Sequence, residues 1–267
     1  MLSIALLAGS SSISAPPKTF TPTSVAYADL LSNKATPALR AALTEVGMIS
    51  VTGIPGYAEL RKSVLAKSHL CTTASGAAQS PHFPDGTTRR TLATYTIPGP
   101  GGAQPVKHES SAAECAAFEG AATPFRALVA DATTLFGKRL SALVALPKPS
   151  PALLATAEGH SFPTLLDVVS EGEHLAHFHS YTKPASATAG KGAPDTIDTH
   201  TDHGIFIAFT PALSLSGRAA TADAEDAAAF YVELADGSRP RVAFEADSLV
   251  FMLGDGLHQI LPKNARS

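Results

Sequence analysis

The chain has 267 residues, of which 45% are hydrophobic and 16% charged, and its formal net charge is -3. This near-neutral balance excludes the positive footprint that nucleic-acid binding needs and the polybasic patch of a membrane anchor. The composition is not that of a disordered chain, no apolar run approaches the roughly 20 residues of a membrane span, and the length suffices for one large domain or two small ones.

Residues 1–15 read MLSIALLAGSSSISA. A short apolar run followed by small residues predicts a secretory signal peptide cleaved near Ala15, and hence a secreted protein; the alternative is an Ala/Ser-rich start. Next, Thr36-Pro37 opens a helix, with Thr36 as N-cap, Pro37 at the first position, Leu39, Leu43 and Val46 on one face, and Gly47 as the stop. Met48 to Thr52 reads as a strand and Gly53 to Gly56 as a turn. A second helix runs from Tyr57 to Leu70. Residues 72–106 are loop-rich, with a strand at Leu92 to Ile97, and Pro124 to Leu146 is the longest helical pattern. Cys71 and Cys115 are the two cysteines. They form one disulfide in an oxidising compartment or remain two buried thiols.

From about residue 164 the character changes. Short β-prone runs follow at Leu175 to Tyr181, Ile205 to Thr210, Phe230 to Leu234, Val242 to Phe244 and Leu249 to Leu253. Asp236-Gly237 is a hairpin-type turn, and residues 213–228 read as a surface insertion. The expected organisation is a signal peptide over 1–15, a mostly helical region over 16–160 and a β domain over 161–267. No GxGxxG or P-loop pattern supports nucleotide binding.

Five of the ten histidines lie between His174 and His203. The key segment is Asp198-Thr-His200-Thr-Asp202-His203-Gly204. In an extended chain His200 and Asp202 point to one face, where an imidazole and a carboxylate can occupy adjacent positions on a divalent metal. A third ligand from another strand would complete a two-His-one-carboxylate triad with open positions, as in non-haem Fe(II) oxygenases. His203 points to the opposite face and is not counted as a ligand. His177 and His179 share a face of their strand, where beside a metal site they would hydrogen-bond its ligands or line the substrate pocket; His174 reads as an ordinary polar residue.

The HTDHG-IFIAF segment resembles the H-T-D-x-G segment of the 2-oxoglutarate/Fe(II) dioxygenases of the isopenicillin-N-synthase-like type. The stretches LRAALTEVGMISVTGIPGY (39–57) and FYVELADGSRPRVAFEADSLVFMLGDG (230–256) resemble two further parts of that family in the same order. The resemblance implies an α+β fold, with a double-stranded β-helix (jelly-roll) core behind a helical N-terminal region. It implies an oxidoreductase that uses Fe(II), 2-oxoglutarate and O2 to hydroxylate or desaturate a small organic substrate. His200 and Asp202 would hold the iron, and Tyr181 lies near the family's cosubstrate-binding aromatic residue. The family's distal His is expected beyond Ser267, so that the jelly roll is C-terminally incomplete. His258, 56 residues after Asp202, is the fallback third ligand. Arg266-Ser267 does not reproduce the family's Arg-x-Ser pair.

Two other readings stay open. A metallo-β-lactamase-like hydrolase carries H-x-H-x-D-H, but here Asp198 stands where the first ligand should be, and 64 residues follow His203. A secreted, metal-free jelly-roll relative could act as a binding module.

Overall fold

A computed structural model describes residues 18–74, 82–97, 104–105, 112–144, 159, 161–182, 197, 199–215 and 230–261. The signal-peptide segment, most of the 213–228 insertion, Asp198 and the Arg266-Ser267 pair lie outside the described residues.

The elements in chain order are β1 (Thr19–Phe20), β2 (Ser24–Ala26), α1 (Tyr27–Leu31), α2 (Thr36–Glu45), β3 (Met48–Thr52) and α3 (Tyr57–Ala74). Then come β4 (Thr88–Ile97), β5 (Gln104–Pro105), α4 (Ala113–Leu143), α5 (Leu165–Glu171), β6 (His174–Thr182) and β7 (Phe206–Phe209). The chain closes with β8 (Phe230–Tyr231), β9 (Arg241–Val242), β10 (Leu249–Leu253) and α6 (Asp255–Ile260).

The strands form three sheets, ordered β1-β9-β8, β2-β3-β10-β7 and β5-β4-β6. Helix and sheet are mixed, and no closed barrel forms among the described residues. Parallel pairs β1–β9 and β2–β3 sit among otherwise antiparallel neighbours, so the β portion is not purely antiparallel. Pairing crosses the two halves of the sequence: β3 lies beside β10, and β4 runs along the whole of β6.

Side-chain parity explains the layers. A strand sends alternate residues to opposite faces. In β3 and β10, Ile49, Val51, Leu249 and Phe251 enter the main core with the helices. There Phe251 stacks on Phe136 of α4 at 4.1 Å between ring centres. Met48 and Val250 point the other way, into a smaller cluster with Val242, Phe20, Phe209 and Phe230. This puts the β1-β9-β8 sheet over the far face of the four-stranded sheet. Covered on both faces, β10 reads as a continuous apolar run, LVFML, and β3 is buried from Met48 through Val51, Ser50 included. The third sheet buries Leu92 and Phe178 against the helices and leaves its other face open.

Local signals mostly hold, with three corrections. Thr36 is not the cap of α2: Ala35 is, and the Thr36 hydroxyl instead reaches Asn33 O and Oδ1 at 3.0 and 2.8 Å. Asn33 takes the left-handed conformation that Asn tolerates. The long helix begins at Ala113, not at Pro124, which lies inside it. Pro124 is solvent-exposed, and the buried row of Cys115, Phe118, Ala122 and Phe125 carries the helix through it, offsetting the lost N–H. The short α5 was not expected; Thr164 caps it by accepting from Asp167 N–H at 3.2 Å. Cys71 and Cys115 are joined in a disulfide that ties α3 to α4, with their Cα atoms 4.5 Å apart.

Candidate functional site

The His-x-Asp segment, residues 199–205, leads into β7, which pairs antiparallel with β10. It is held by backbone rather than by side chains. Asp255 N–H donates to Asp202 O at 2.8 Å, Gly254 N–H to Ile205 O at 3.1 Å and Gly256 N–H to Gly204 O at 3.1 Å. The two segments approach so closely that a side chain is excluded. A Cβ on Gly254 would sit 2.2 Å from Gly204 O and 2.7 Å from Asp202 O, and one on Gly256 would sit 2.7 Å from His203 O. Only glycine allows this approach. On the other side, Arg239 donates to the Thr199 hydroxyl at 2.5 Å.

Helix α3 anchors the segment that follows β7. The Arg61 side chain is 2% exposed. It donates to Thr210 Oγ1 at 2.6 Å and to the carbonyls of Pro211 and Ala212 at 2.6 and 3.0 Å. Asp247 stands 3.5 Å away. Burial first, opposed by Tyr57 and Asp247, moves the Arg61 pKa down from its ordinary value. One turn earlier, the buried Tyr57 hydroxyl donates to Ser248 O at 3.0 Å. Burial pushes the Tyr57 pKa up to about 12.

Within this frame His200 Nε2 and Asp202 Oδ1 lie 3.7 Å apart, with His200 exposed and Asp202 part-buried. Two donors sharing one ion at about 2.1 Å each would stand about 3.0–3.4 Å apart. The pair therefore matches two adjacent ligand positions after a small closure. The bland alternative is a surface ion pair, worth little in itself. His258 lies on the exposed side of α6 and does not join them: among the described residues no three His, Cys, Asp or Glu side chains form a group able to hold a metal. His203 is exposed, and its carbonyl faces Gly256.

The other candidates lie on a different sheet. His177, His179 and Tyr181 project from the open face of β6, beside Ala93, Thr91 and Arg89 of β4. The ring centres of His177 and His179 are 5.3 Å apart, and those of His179 and Tyr181 are 6.0 Å apart. Burial first, then His177 and Arg89, pushes the His179 pKa down to about 4. His174 Nε2 contacts Val169 O at 2.9 Å, tying β6 to α5.

The backbone contact at Gly254 and Gly256 is not among the features the sequence analysis identifies. Its signal was two glycines in Gly254-Asp255-Gly256 directly after an apolar strand. Arg61 gave a fainter signal, the one charged residue on the buried face of α3, among Tyr57, Val64, Ser68, Cys71 and Thr72.

No protein-family model matches the chain, and no curated protein matches it. Among solved structures, the chain is similar to a crystal structure named "Putative oxygenase from Shewanella oneidensis". The identity is 13% and the TM-score 0.49, over 91% of this chain and 79% of that one.

Proposed function

We propose that this protein is an Fe(II)- and 2-oxoglutarate-dependent oxygenase acting on a small organic substrate. The observation that carries the reading is the His200–Asp202 pair, a neutral-capable nitrogen donor and a carboxylate 3.7 Å apart on a segment clamped by backbone to the start of α6. A jelly-roll core is part of the proposal, supported by the facing of the β1-β9-β8 and β2-β3-β10-β7 sheets over the Met48, Val242 and Val250 cluster. His200 and Asp202 would hold the iron, and the third ligand is sought outside the described residues. Bound iron would activate O2, the oxidant, toward a C–H bond, with 2-oxoglutarate supplying two electrons as it is decarboxylated to succinate and CO2. The chain's own part is to keep two donors on one face, fixed by Gly254 and Gly256, and to leave the remaining positions open. The disulfide supports placement in an oxidising compartment. No helix among the described residues is long and apolar enough to cross a membrane.

A metal-free binding module is the second reading, favoured by the lack of a third ligand beside the pair among the described residues. Anaerobic titration with Fe(II) and then 2-oxoglutarate separates the two. The oxygenase reading expects a visible charge-transfer band and its loss in His200→Ala and Asp202→Ala. Equal Fe(II) binding by the parent and both variants would end it.

A further inference from the structure

We infer that His177 and His179 form a second, two-point metal site on the open face of β6, selective for imidazole-preferring dications such as Cu(II). It is separate from the His200–Asp202 pair and does not depend on the oxygenase reading.

The two residues alternate on one strand face and reach solvent there, the His179 ring being partly desolvated by its neighbours. A metal about 2.0–2.1 Å from each Nε2 lies about 3.2 Å from each ring centre, so two imidazoles have centres about 4.5 Å apart at the right angles of a tetragonal Cu(II) site and about 5.2 Å apart at tetrahedral angles. The observed separation is 5.3 Å. The rings therefore stand within about 1 Å of the spacing of a shared ion, and rotation of the side chains is needed to bring both Nε2 atoms onto it. His179 has its Nδ1 engaged with Thr91 Oγ1 at 2.9 Å. With Nδ1–H donating to Thr91, the lone pair is left on Nε2, toward solvent, which is how metal-bound imidazoles are commonly oriented. Across from His177 the neighbouring strand carries only Ala93, so no bulky side chain faces that ring in register.

Arg89, opposite Tyr181, is the cation that faces the pair, and its guanidinium lies over the Phe83 ring at 5.3 Å. Its charge lowers the affinity for any dication. Imidazole donors and the order of divalent-metal affinities place Cu(II) above Ni(II) and Zn(II) at such a site. Water fills the other positions.

The test is Cu(II) titration of the full chain by calorimetry, with electron paramagnetic resonance to count nitrogen ligands. The expected result is a site with two coordinated nitrogens that persists in His200→Ala. Loss of the chelate in His177→Ala or His179→Ala should weaken it by about 10²-fold. Thr91→Val should weaken it by about 10-fold, through loss of the orienting partner. His177→Gln, closer in size, repeats the test should the Ala variant fold poorly. Absence of Cu(II) uptake by the parent, or uptake undiminished when both histidines are replaced, overturns the proposal. Signal lost only in His200→Ala would assign the copper to the other pair and overturn it equally.

Discussion

Gly254→Ala tests the backbone clamp that positions Asp202. The new Cβ would lie 2.2 Å from Gly204 O, whereas ordinary contact begins at 3.4 Å, so the two segments must separate by about 1.2 Å. The Asp255 N–H bond to Asp202 O, now 2.8 Å, would then stretch to about 4 Å and cease to be a hydrogen bond. The neighbouring bonds to Ile205 and Gly204 lie in the same clamp. Three backbone bonds at about 1 kcal/mol each give a loss of about 3 kcal/mol. With a urea slope of about 3 kcal/mol/M, the midpoint falls by about 1 M. Gly120→Ala is the control. It lies in α4, has nothing within 4 Å of the added Cβ, and should gain about 0.5–1 kcal/mol. Equilibrium urea unfolding of both variants, beside the parent, reads the contrast. A Gly254→Ala midpoint equal to the parent's would refute the close approach and, with it, the account of how Asp202 is held.

Arg61→Met removes the donor shared by Thr210, Pro211 and Ala212 and leaves buried acceptors unsatisfied, a loss of about 3 kcal/mol in urea unfolding. Asp247 adds little to that figure, because it is 46% exposed. For Tyr57 the folded pKa of about 12 lies above the ordinary value of 10.0, so the folded state holds its proton longer than the unfolded chain. Its contribution is complete below pH 10 and is lost as pH rises from about 10 to about 12. Tyrosinate absorbance should show a late-titrating phenol from Tyr57, and Tyr57→Phe should abolish it and cost about 1 kcal/mol. Replacing both Cys71 and Cys115 by Ser opens a 44-residue loop, for which chain entropy gives about 4 kcal/mol. A melting temperature equal to the parent's would show that the bridge constrains nothing.

The sequence by itself determined the elements whose signals are local. Met48 to Thr52 needs only its β-prone residues, Ile49, Val51 and Thr52, and Gly47 and Gly53 bracket it with positive φ values of 72° and 68°. The Asp236-Gly237 turn likewise closes on its own bonds, Leu234 N–H to Ser238 O and Gly237 N–H to Leu234 O. His200 and Asp202 were legible as a pair because alternation along an extended chain puts them on one face. The start of α4 was not legible, since Pro124 is a local stop signal and only the tertiary burial of Cys115, Phe118 and Phe125 outweighs it. The same holds for α5, whose cap is one Thr–Asp contact within a short segment. Nor could sequence pattern show that β4 pairs with β6 rather than with a nearer strand, because pairing is decided by which faces are left to bury. It follows that His177 and His179 stand on the open face of one sheet, while His200 and Asp202 lead into a strand of another. Nearness in sequence grouped these histidines, and the assignment of strands to sheets placed them on two different sheets.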